Sequence, residues 1–347
     1  MINLKNIQLS DEERKRYMRH LNLSLVKQQG QTRIMSAKIL FIGAGGLASS
    51  SLLYLAAAGI KTIGIIDNDF VEISNLQRQV IHSEKTVGML KAISAKDSIK
   101  GLNHNCQVKA YCCKLNSDNA LKIIKHYNIV IDCTDNIYTR NILNSICAIL
   151  NMPYMYAAIS QFIGQVSVFH FQNGISYDDI ICSHENIENC NNNGVIGILP
   201  GAVGLFQANE IIKIIVGIPI NLSKYMLVYD SLQSDCQKIK LRKHKKKLLS
   251  RRELIKYTQS NNPKSFHTIL MSNYLIVDIR DSYSSKIYPI DNALRIPMHK
   301  IINDTSIDFI KEKSIHYNIY IYCETDSKTD FIIKLLEKNK IIARKYG

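Results

Sequence analysis

No Cys-x-x-Cys pair occurs among the nine cysteines of this 347-residue sequence. They lie scattered at Cys106, Cys112, Cys113, Cys133, Cys147, Cys182, Cys190, Cys236 and Cys323. That spacing argues against a structural zinc site built from paired thiolates. No stretch approaches the roughly 18 consecutive apolar residues that a spanning helix needs, so no membrane span is expected. The N-terminus runs from Met1-Ile-Asn-Leu-Lys-Asn6 into the charged Asp11-Glu-Glu-Arg-Lys-Arg16 and lacks a secretory apolar segment. An intracellular, unsecreted protein is expected, which disfavours a disulfide framework. No internal repeat and no low-complexity segment is present.

Acidic residues are in short supply. Lys and Arg number 44 against 29 Asp and Glu, for a net charge of +15. Much of the excess lies between Lys238 and Lys256 and includes Lys243, Lys245, Lys246 and Lys247. Such a cluster suits a solvated linker, or attraction to nucleic acid, an acidic membrane surface or an acidic protein. Without interleaved aromatics or a nucleic-acid motif, neither nucleic acid nor membrane is the expected partner. Abundant Ile, Lys and Asn suggest an AT-rich genome, and the compartment expected is cytoplasm or plastid stroma.

The length allows two cores. Lys38-Ile-Leu-Phe-Ile-Gly43 reads as a buried strand, Gly43-Ala-Gly-Gly46 as a tight turn, and Leu47 to Ala58 as a helix closed by Gly59. A second strand, Thr62-Ile-Gly-Ile-Ile66, ends at Asp67. Helices are expected over Val87 to Ile99 and Ser117 to His126, and strands over Cys106 to Tyr111 and Asn128 to Asp132. Alternating strand and helix predicts an α/β fold with a doubly wound parallel sheet. After about Pro153 the texture changes. Ile163 to Phe171, Tyr225 to Tyr229 and Gln237 to Leu241 read as strands that extend the sheet in mixed fashion, and Gly204 to Val216 as a helix. Residues 1–245 form the first domain and 246–267 a basic, polar linker. A smaller α/β unit occupies 268–347.

Glycines between a strand and a helix let backbone N–H groups approach phosphate oxygens, and the helix N-terminus adds partial positive charge. Asp67, at the end of the next strand, is placed to bind a ribose. Alone, this is the fingerprint of an NAD or FAD site. The following segment, Asp67-Asn-Asp-Phe-Val-Glu-Ile-Ser-Asn-Leu-Gln-Arg-Gln79, adds Asn75 and Arg78, and Lys91 follows. Two cations and an amide beside a phosphate turn suit a triphosphate better than a dinucleotide. Asp132-Cys-Thr-Asp-Asn136 ends another strand of the same sheet. Asp135 is therefore positioned to hold Mg²⁺.

Gly43-Ala-Gly-Gly-Leu47, Ser74-Asn-Leu-Gln-Arg-Gln79, Lys91 and Cys133-Thr-Asp-Asn136, with the early Arg16-Tyr-Met-Arg-His20, resemble the MoeB/ThiF/HesA adenylyltransferases over about residues 7–241. These are relatives of the ubiquitin-activating enzymes. The resemblance implies a Rossmann-like fold and a homodimer that binds Mg-ATP. It also implies a protein partner, a small ubiquitin-like sulfur carrier such as the small subunit of molybdopterin synthase. The carrier's C-terminal glycine carboxylate attacks the α-phosphate and pyrophosphate leaves. Carried onto this chain, Gly46 contacts the nucleotide and Asp67 the ribose. Asn75, Arg78 and Lys91 hold and neutralise the phosphates, Ser74, Leu76, Gln77 and Asn136 also bind ATP, Asp135 binds ATP and serves the Mg²⁺, and Arg19 reaches the phosphates of the neighbouring subunit. Cys190, in Glu188-Asn-Cys-Asn-Asn-Asn-Gly194, falls where some relatives carry a reactive loop cysteine and others an inert one.

The chain departs from the family pattern in three places. Ser176-Tyr-Asp-Asp179 stands where many members have the first zinc-binding Cys-x-x-Cys, and the basic stretch after Leu241 lacks the second, so no zinc is expected. Gln161 replaces the usual Arg ahead of a central strand, with Gly164-Gln165 following. Ala48 replaces the last glycine of the turn. The C-terminal unit, through Tyr274-Leu-Ile-Val-Asp-Ile-Arg280, Asp291-Asn-Ala-Leu-Arg-Ile-Pro297 and Ile319-Tyr-Ile-Tyr-Cys323, resembles a rhodanese domain in truncated form. That implies a persulfide on Cys323. Glu324 and Asp326 beside it would raise the thiol pKa, with Lys328 as partial compensation. Sulfur transfer and a docking role both stay open. An NAD-dependent oxidoreductase and a non-catalytic carrier-binding scaffold are the competing functions. Neither accounts for the phosphate set as a whole.

Overall fold

The computed structural model describes residues 8–172, 174–181, 194–243, 274–280, 293–302, 306–314, 318–323 and 326–345. The chain divides into two compact units, Met1–Glu253 and Leu254–Gly347. The stretch expected to be a linker, 246–267, lies outside the described residues.

In the first unit, two helices, α1 (Asp11–Leu21) and α2 (Lys27–Ser36), precede the sheet. The order then runs β1 (Lys38–Ile42), α3 (Gly46–Ala57), β2 (Thr62–Ile66), α4 (Lys91–Leu102), β3 (Gln107–Tyr111), α5 (Ser117–Ile124), β4 (Ile129–Asp132), α6 (Ile137–Leu150) and β5 (Tyr154–Ser160). It continues with β6 (Ile163–Phe169), α7 (Asp178–Ile181), α8 (Ile198–Val216), β7 (Tyr225–Asp230) and β8 (Asp235–Lys240). One eight-stranded sheet results, in the order β3-β2-β1-β4-β5-β6-β7-β8. The first five strands are parallel, and β6 to β8 run antiparallel to their neighbours. This is the doubly wound mixed sheet expected.

The parallel strands have continuous apolar runs because both faces are covered. Ile39, Leu40 and Phe41 of β1 and Ile129, Val130 and Ile131 of β4 are buried. Small residues bring α3 and α8 close together. A Cβ at Gly204 would lie 2.2 Å from the Leu47 carbonyl oxygen, so only glycine fits there. The Ser50 hydroxyl donates to the Gly201 carbonyl at 2.7 Å. Ala48, the departure from the glycine pattern, is fully buried in the core of this unit.

Several boundaries differ from the sequence reading. The helix expected at Val87 begins only at Lys91, because Gly88 takes φ +85° and the backbone of Val71 pairs with Gly88 and Met89. It then runs to Leu102. The helix expected at Gly204 starts at Ile198, with Pro200 tolerated in its first turn, where the missing N–H has no partner to lose. The sequence reading gave no element to α1, α2, α6 or β5.

The second unit holds a four-stranded parallel sheet, ordered β10-β9-β11-β12. Its elements are β9 (Tyr274–Asp278), β10 (Leu294–Arg295), α9 (Met298–Ile302), α10 (Ile307–Ser314), β11 (Asn318–Tyr322), α11 (Asp326–Lys338) and β12 (Ala343–Lys345). Its own core includes Val277, Ile301, Ile310, Ile321, Ile332 and Leu336.

Candidate nucleotide-binding site

Gly43 ends β1 at φ +97°, and a Cβ there would sit 2.9 Å from the Cys133 carbonyl oxygen. Glycine therefore lets the chain turn between β1 and β4. The next peptide is held at both ends. The Ala44 N–H donates to Asp67 Oδ2 at 2.7 Å. The Ala44 carbonyl accepts from His82 Nε2 at 2.9 Å, while His82 Nδ1 lies 2.8 Å from the Ser94 hydroxyl on α4. Burial pushes the His82 pKa down. With Nε2–H donating to a carbonyl, neutral imidazole accepts from Ser94 through Nδ1. Burial raises the Asp67 pKa against the N–H groups of Ala44 and Asp69 that oppose it. Gly45 then caps α3 without a side-chain partner, so the first N–H groups of α3 stay open to an anion.

These elements enclose a cavity of about 1120 Å³ beyond the carboxyl ends of β1, β2 and β4, where open α/β sheets place ligands. Of the expected residues, Gly46, Asp67, Asn75, Gln77, Arg78, Lys91, Asp135 and Asn136 line it. Lys91 is the first residue of α4, and its Nζ lies 3.1 Å from Asp69 Oδ2. The Arg78 guanidinium donates to the Ser74 carbonyl at 3.1 Å. Asn75 is buried and uses its carbonyl to accept from the Glu72 N–H at 3.2 Å, which shapes the turn bearing Arg78. Asp135 is exposed at the rim, and Asn136 caps α6 by accepting from the Thr139 N–H at 2.8 Å.

Not every expected residue gathers here. Ser74 and Leu76 are not among the lining side chains. Ser74 donates instead to Glu72 Oε2 at 3.1 Å, and Leu76 closes the Ile73–Asn75 turn. Arg19 is exposed on α1, away from the cavity lining of its own chain. Cys190 lies outside the described residues, but Gly194 and Val195, just after it, line the cavity. Gly197 is confined by Gln77, whose carbonyl oxygen would lie 2.2 Å from any Cβ.

Two further features lay beyond the sequence reading. Asp132 is fully buried and accepts from the Thr134 N–H (2.9 Å), the Thr134 hydroxyl (2.6 Å) and the Tyr154 hydroxyl (2.8 Å). Arg140 Nε lies 3.4 Å from Asp132, and Arg140 Nη2 donates to the carbonyls of Thr134 (2.8 Å) and Ala157 (3.2 Å). Together they fix the loop that presents Asp135. The signal available was an Arg one helical turn past an Asn cap. The second feature is Gln79, a buried side chain on the cavity wall.

Where a first cysteine pair would stand, hydrogen bonds close the loop. Asp179 Oδ2 accepts from the Ser176 N–H (2.8 Å) and hydroxyl (3.0 Å). Asn144 donates to Asp178 (2.9 Å) and accepts from His170 Nε2 (2.7 Å). Burial pushes His170 down to about 4. Among the described residues, no three His, Cys, Asp or Glu side chains gather as a metal site. Gln161 takes φ +50° in the two-residue turn between β5 and β6, and Gly164 is required by α8, since a Cβ would lie 2.2 Å from Val203.

In the second unit Cys323 follows β11 and is half-buried. Nearby, two residues past the end of β9, Arg280 makes a two-pronged pair with Asp278, at 2.9 and 2.8 Å, and its guanidinium lies 4.9 Å from the Tyr322 ring centre. Glu324 is outside the described residues, Asp326 opens α11, and Lys328 is exposed.

The ThiF family model matches residues 17–250. A probable molybdopterin-synthase adenylyltransferase of Porphyra purpurea is 38% identical, covering 97% of this chain and 92% of its own. An adenylyltransferase and sulfurtransferase of Culex quinquefasciatus is 33% identical, covering 94% and 83%. Among solved structures, E. coli MccB with ATP aligns at TM-score 0.56 and 19% identity, over 69% of this chain and 81% of that one. PaaA aligns at TM-score 0.58 and 23% identity, over 67% and 75%. At such identities the structural matches speak to the fold alone.

Proposed function

This chain belongs to the ThiF family, and we propose that it adenylylates the C-terminal glycine carboxylate of a small ubiquitin-like sulfur-carrier protein. The observation that carries the proposal is the convergence of Asp67, Arg78, Lys91 and Asp135 on one cavity at the open N-terminus of α3. The molybdopterin-synthase small subunit is the carrier of choice, in line with the names of the relatives, and molybdenum cofactor biosynthesis is then the pathway. The thiamine-pathway carrier is the alternative, as is a dual enzyme in which Cys323 also transfers sulfur.

The reaction needs positioning and charge neutralisation more than a protein nucleophile. A carboxylate oxygen of the carrier attacks the α-phosphorus of ATP. The bond from that phosphorus to the bridging oxygen breaks, and pyrophosphate leaves with the electron pair. Asp67 accepts from the ribose. The α3 N–H groups, Arg78 and Lys91 share the phosphate charge. Asp135 has an exposed carboxylate among the lining residues of the cavity, and Mg²⁺ is a fitting guest because it takes oxygen ligands and keeps several from water and phosphate. When bound it would supply further charge neutralisation. Arg19, exposed on α1, serves the site of a second subunit in a homodimer. No stoichiometric zinc is required, since the Ser176–Asp179 loop is closed by hydrogen bonds, and elemental analysis finding about one zinc per chain would refute this. The compartment is cytoplasm or plastid stroma, open to test with a fluorescent fusion.

ATP–pyrophosphate exchange with glycine-ended carriers is the deciding experiment. Exchange that depends on a carrier supports the assignment. NAD-dependent redox activity, or carrier binding without exchange, would replace it.

A further inference from the structure

Gln79 is 5% exposed and lies on the wall of the cavity, yet its Oε1 is fully buried without a hydrogen-bond partner. Its Nε2 faces the phosphate turn, 3.7 Å from where a Gly45 Cβ would stand. The backbone is fixed on both sides. The Gln79 N–H donates to the Asn75 carbonyl at 2.9 Å, and the Gln79 carbonyl accepts from the His82 N–H at 3.0 Å. Among the described residues no hydrogen bond ties the side-chain amide itself, so it can turn its orphaned oxygen toward the cavity, and because an unpaired buried oxygen is costly a ligand donor that completes it is the natural reading.

The chemistry of the candidates selects that group. The triphosphate carries only acceptors, so it satisfies Nε2 but not Oε1. Ribose hydroxyls can donate, but the Asp67 carboxylate stands at the end of β2 to receive them. The second substrate is a peptide end. Its last residue brings a backbone N–H within three bonds of the reacting carboxylate oxygen. One side-chain amide can therefore serve both partners, with Nε2 on the phosphate and Oε1 on the peptide. Resting on the adenylyltransferase reading, we infer that Gln79 is a substrate-positioning residue that accepts the N–H of the carrier's terminal glycine and aligns its carboxylate on the α-phosphate.

The test uses the full chain and a Gly-Gly-ended carrier, the molybdopterin-synthase small subunit. A second form of the carrier ends in sarcosine, which lacks that N–H. Gln79→Met keeps the volume and removes the amide, and Gln79→Asn withdraws it by one methylene. For Gln79→Met the Kd of a non-hydrolysable ATP analogue should stay within about threefold of wild type, while the KM for carrier in exchange rises about tenfold or more. Gln79→Asn should fall between, and gives the same reading if the Met variant does not fold. The sarcosine carrier should raise KM about tenfold with wild type and hardly at all with Gln79→Met, because both changes remove one contact. Independent, multiplying losses would overturn the inference. So would a tenfold loss of nucleotide affinity with carrier KM unchanged, which would make Gln79 a nucleotide ligand. Wild-type exchange that Gln79→Met retains sinks this inference alone. A wild type with no exchange for any glycine-ended carrier sinks the adenylyltransferase reading and the inference with it.

Discussion

Replacing Lys91 by Ala should separate stability from activity. The Lys91 side chain is 10% exposed, but its partner Asp69 is 63% exposed and can turn to water once the pair is broken. Such a pair contributes about 0–1 kcal/mol. Against that, Lys91 opens α4, where a cation opposes the helix dipole by about 0.3–1 kcal/mol. The two contributions nearly cancel, and Lys91→Ala should unfold within about 1 kcal/mol of wild type in urea. Its catalytic loss should be far larger. Removing one group that stabilises developing charge in a closed site costs about 10²–10³ in rate. Lys91→Arg keeps the charge on a longer, forked head and should recover part of the activity. The assay is carrier-dependent pyrophosphate exchange beside equilibrium denaturation. Near-normal exchange by a folded Lys91→Ala protein would refute the placement of a phosphate on this residue. Lost exchange with lost stability would refute the separation.

Asp135→Ala should also abolish adenylate formation with the fold intact, since its exposed carboxylate leaves nothing unpaired, and Asp135→Asn should demand more Mg²⁺ for half-maximal exchange. Deleting the chain from about Asn261 should leave exchange in place, because the lining residues of the cavity all precede that point; a folded, dimeric truncation without exchange would contradict this. Cys323→Ala should behave likewise in exchange, and mass spectrometry after thiosulfate treatment reads directly whether Cys323 takes up sulfur. His170 is held neutral, so the unfolded chain takes up a proton that the folded one refuses as pH falls from 6.5 toward 4. Stability should therefore fall over that window by on the order of 3 kcal/mol, and His170→Asn, which tolerates the left-handed backbone, should flatten the slope.

What the sequence disclosed and what it withheld divide along physical lines. The buried parallel strands β1, β2 and β4 were legible because burial on both faces writes a continuous apolar run, and the Gly43–Gly46 turn because a strand-to-helix junction over phosphate needs glycine. The residues Asn75, Arg78, Lys91 and Asp135 were legible as a motif. α6 was missed because its apolar pattern is mixed with Arg140 and Asn144, both buried in polar networks. The sequence reading of α8 starts at Gly204, whereas the helix begins at Ile198 with Pro200 in its first turn. The resemblance places Ser74 and Leu76 at the nucleotide as part of one motif, whereas a 3-10 turn aims neighbouring side chains in different directions. Asp132 is fixed in part by Tyr154 on the neighbouring strand, and Gln79 stands out only through a buried oxygen without a partner; neither is written in a local pattern of residues.

The Ala44 peptide, fixed by Asp67 on one side and His82 on the other, has a kinetic consequence. Its N–H is already bonded before any nucleotide arrives, whereas the N–H groups that open α3 have no side-chain cap. In amide hydrogen exchange of the ligand-free protein, Ala44 should be slow and Gly45 and Gly46 fast. Nucleotide should slow the glycines and leave Ala44 almost unchanged. The loop then has little order left to acquire, and association with ATP should run at an encounter-limited rate, without a slow rearrangement phase.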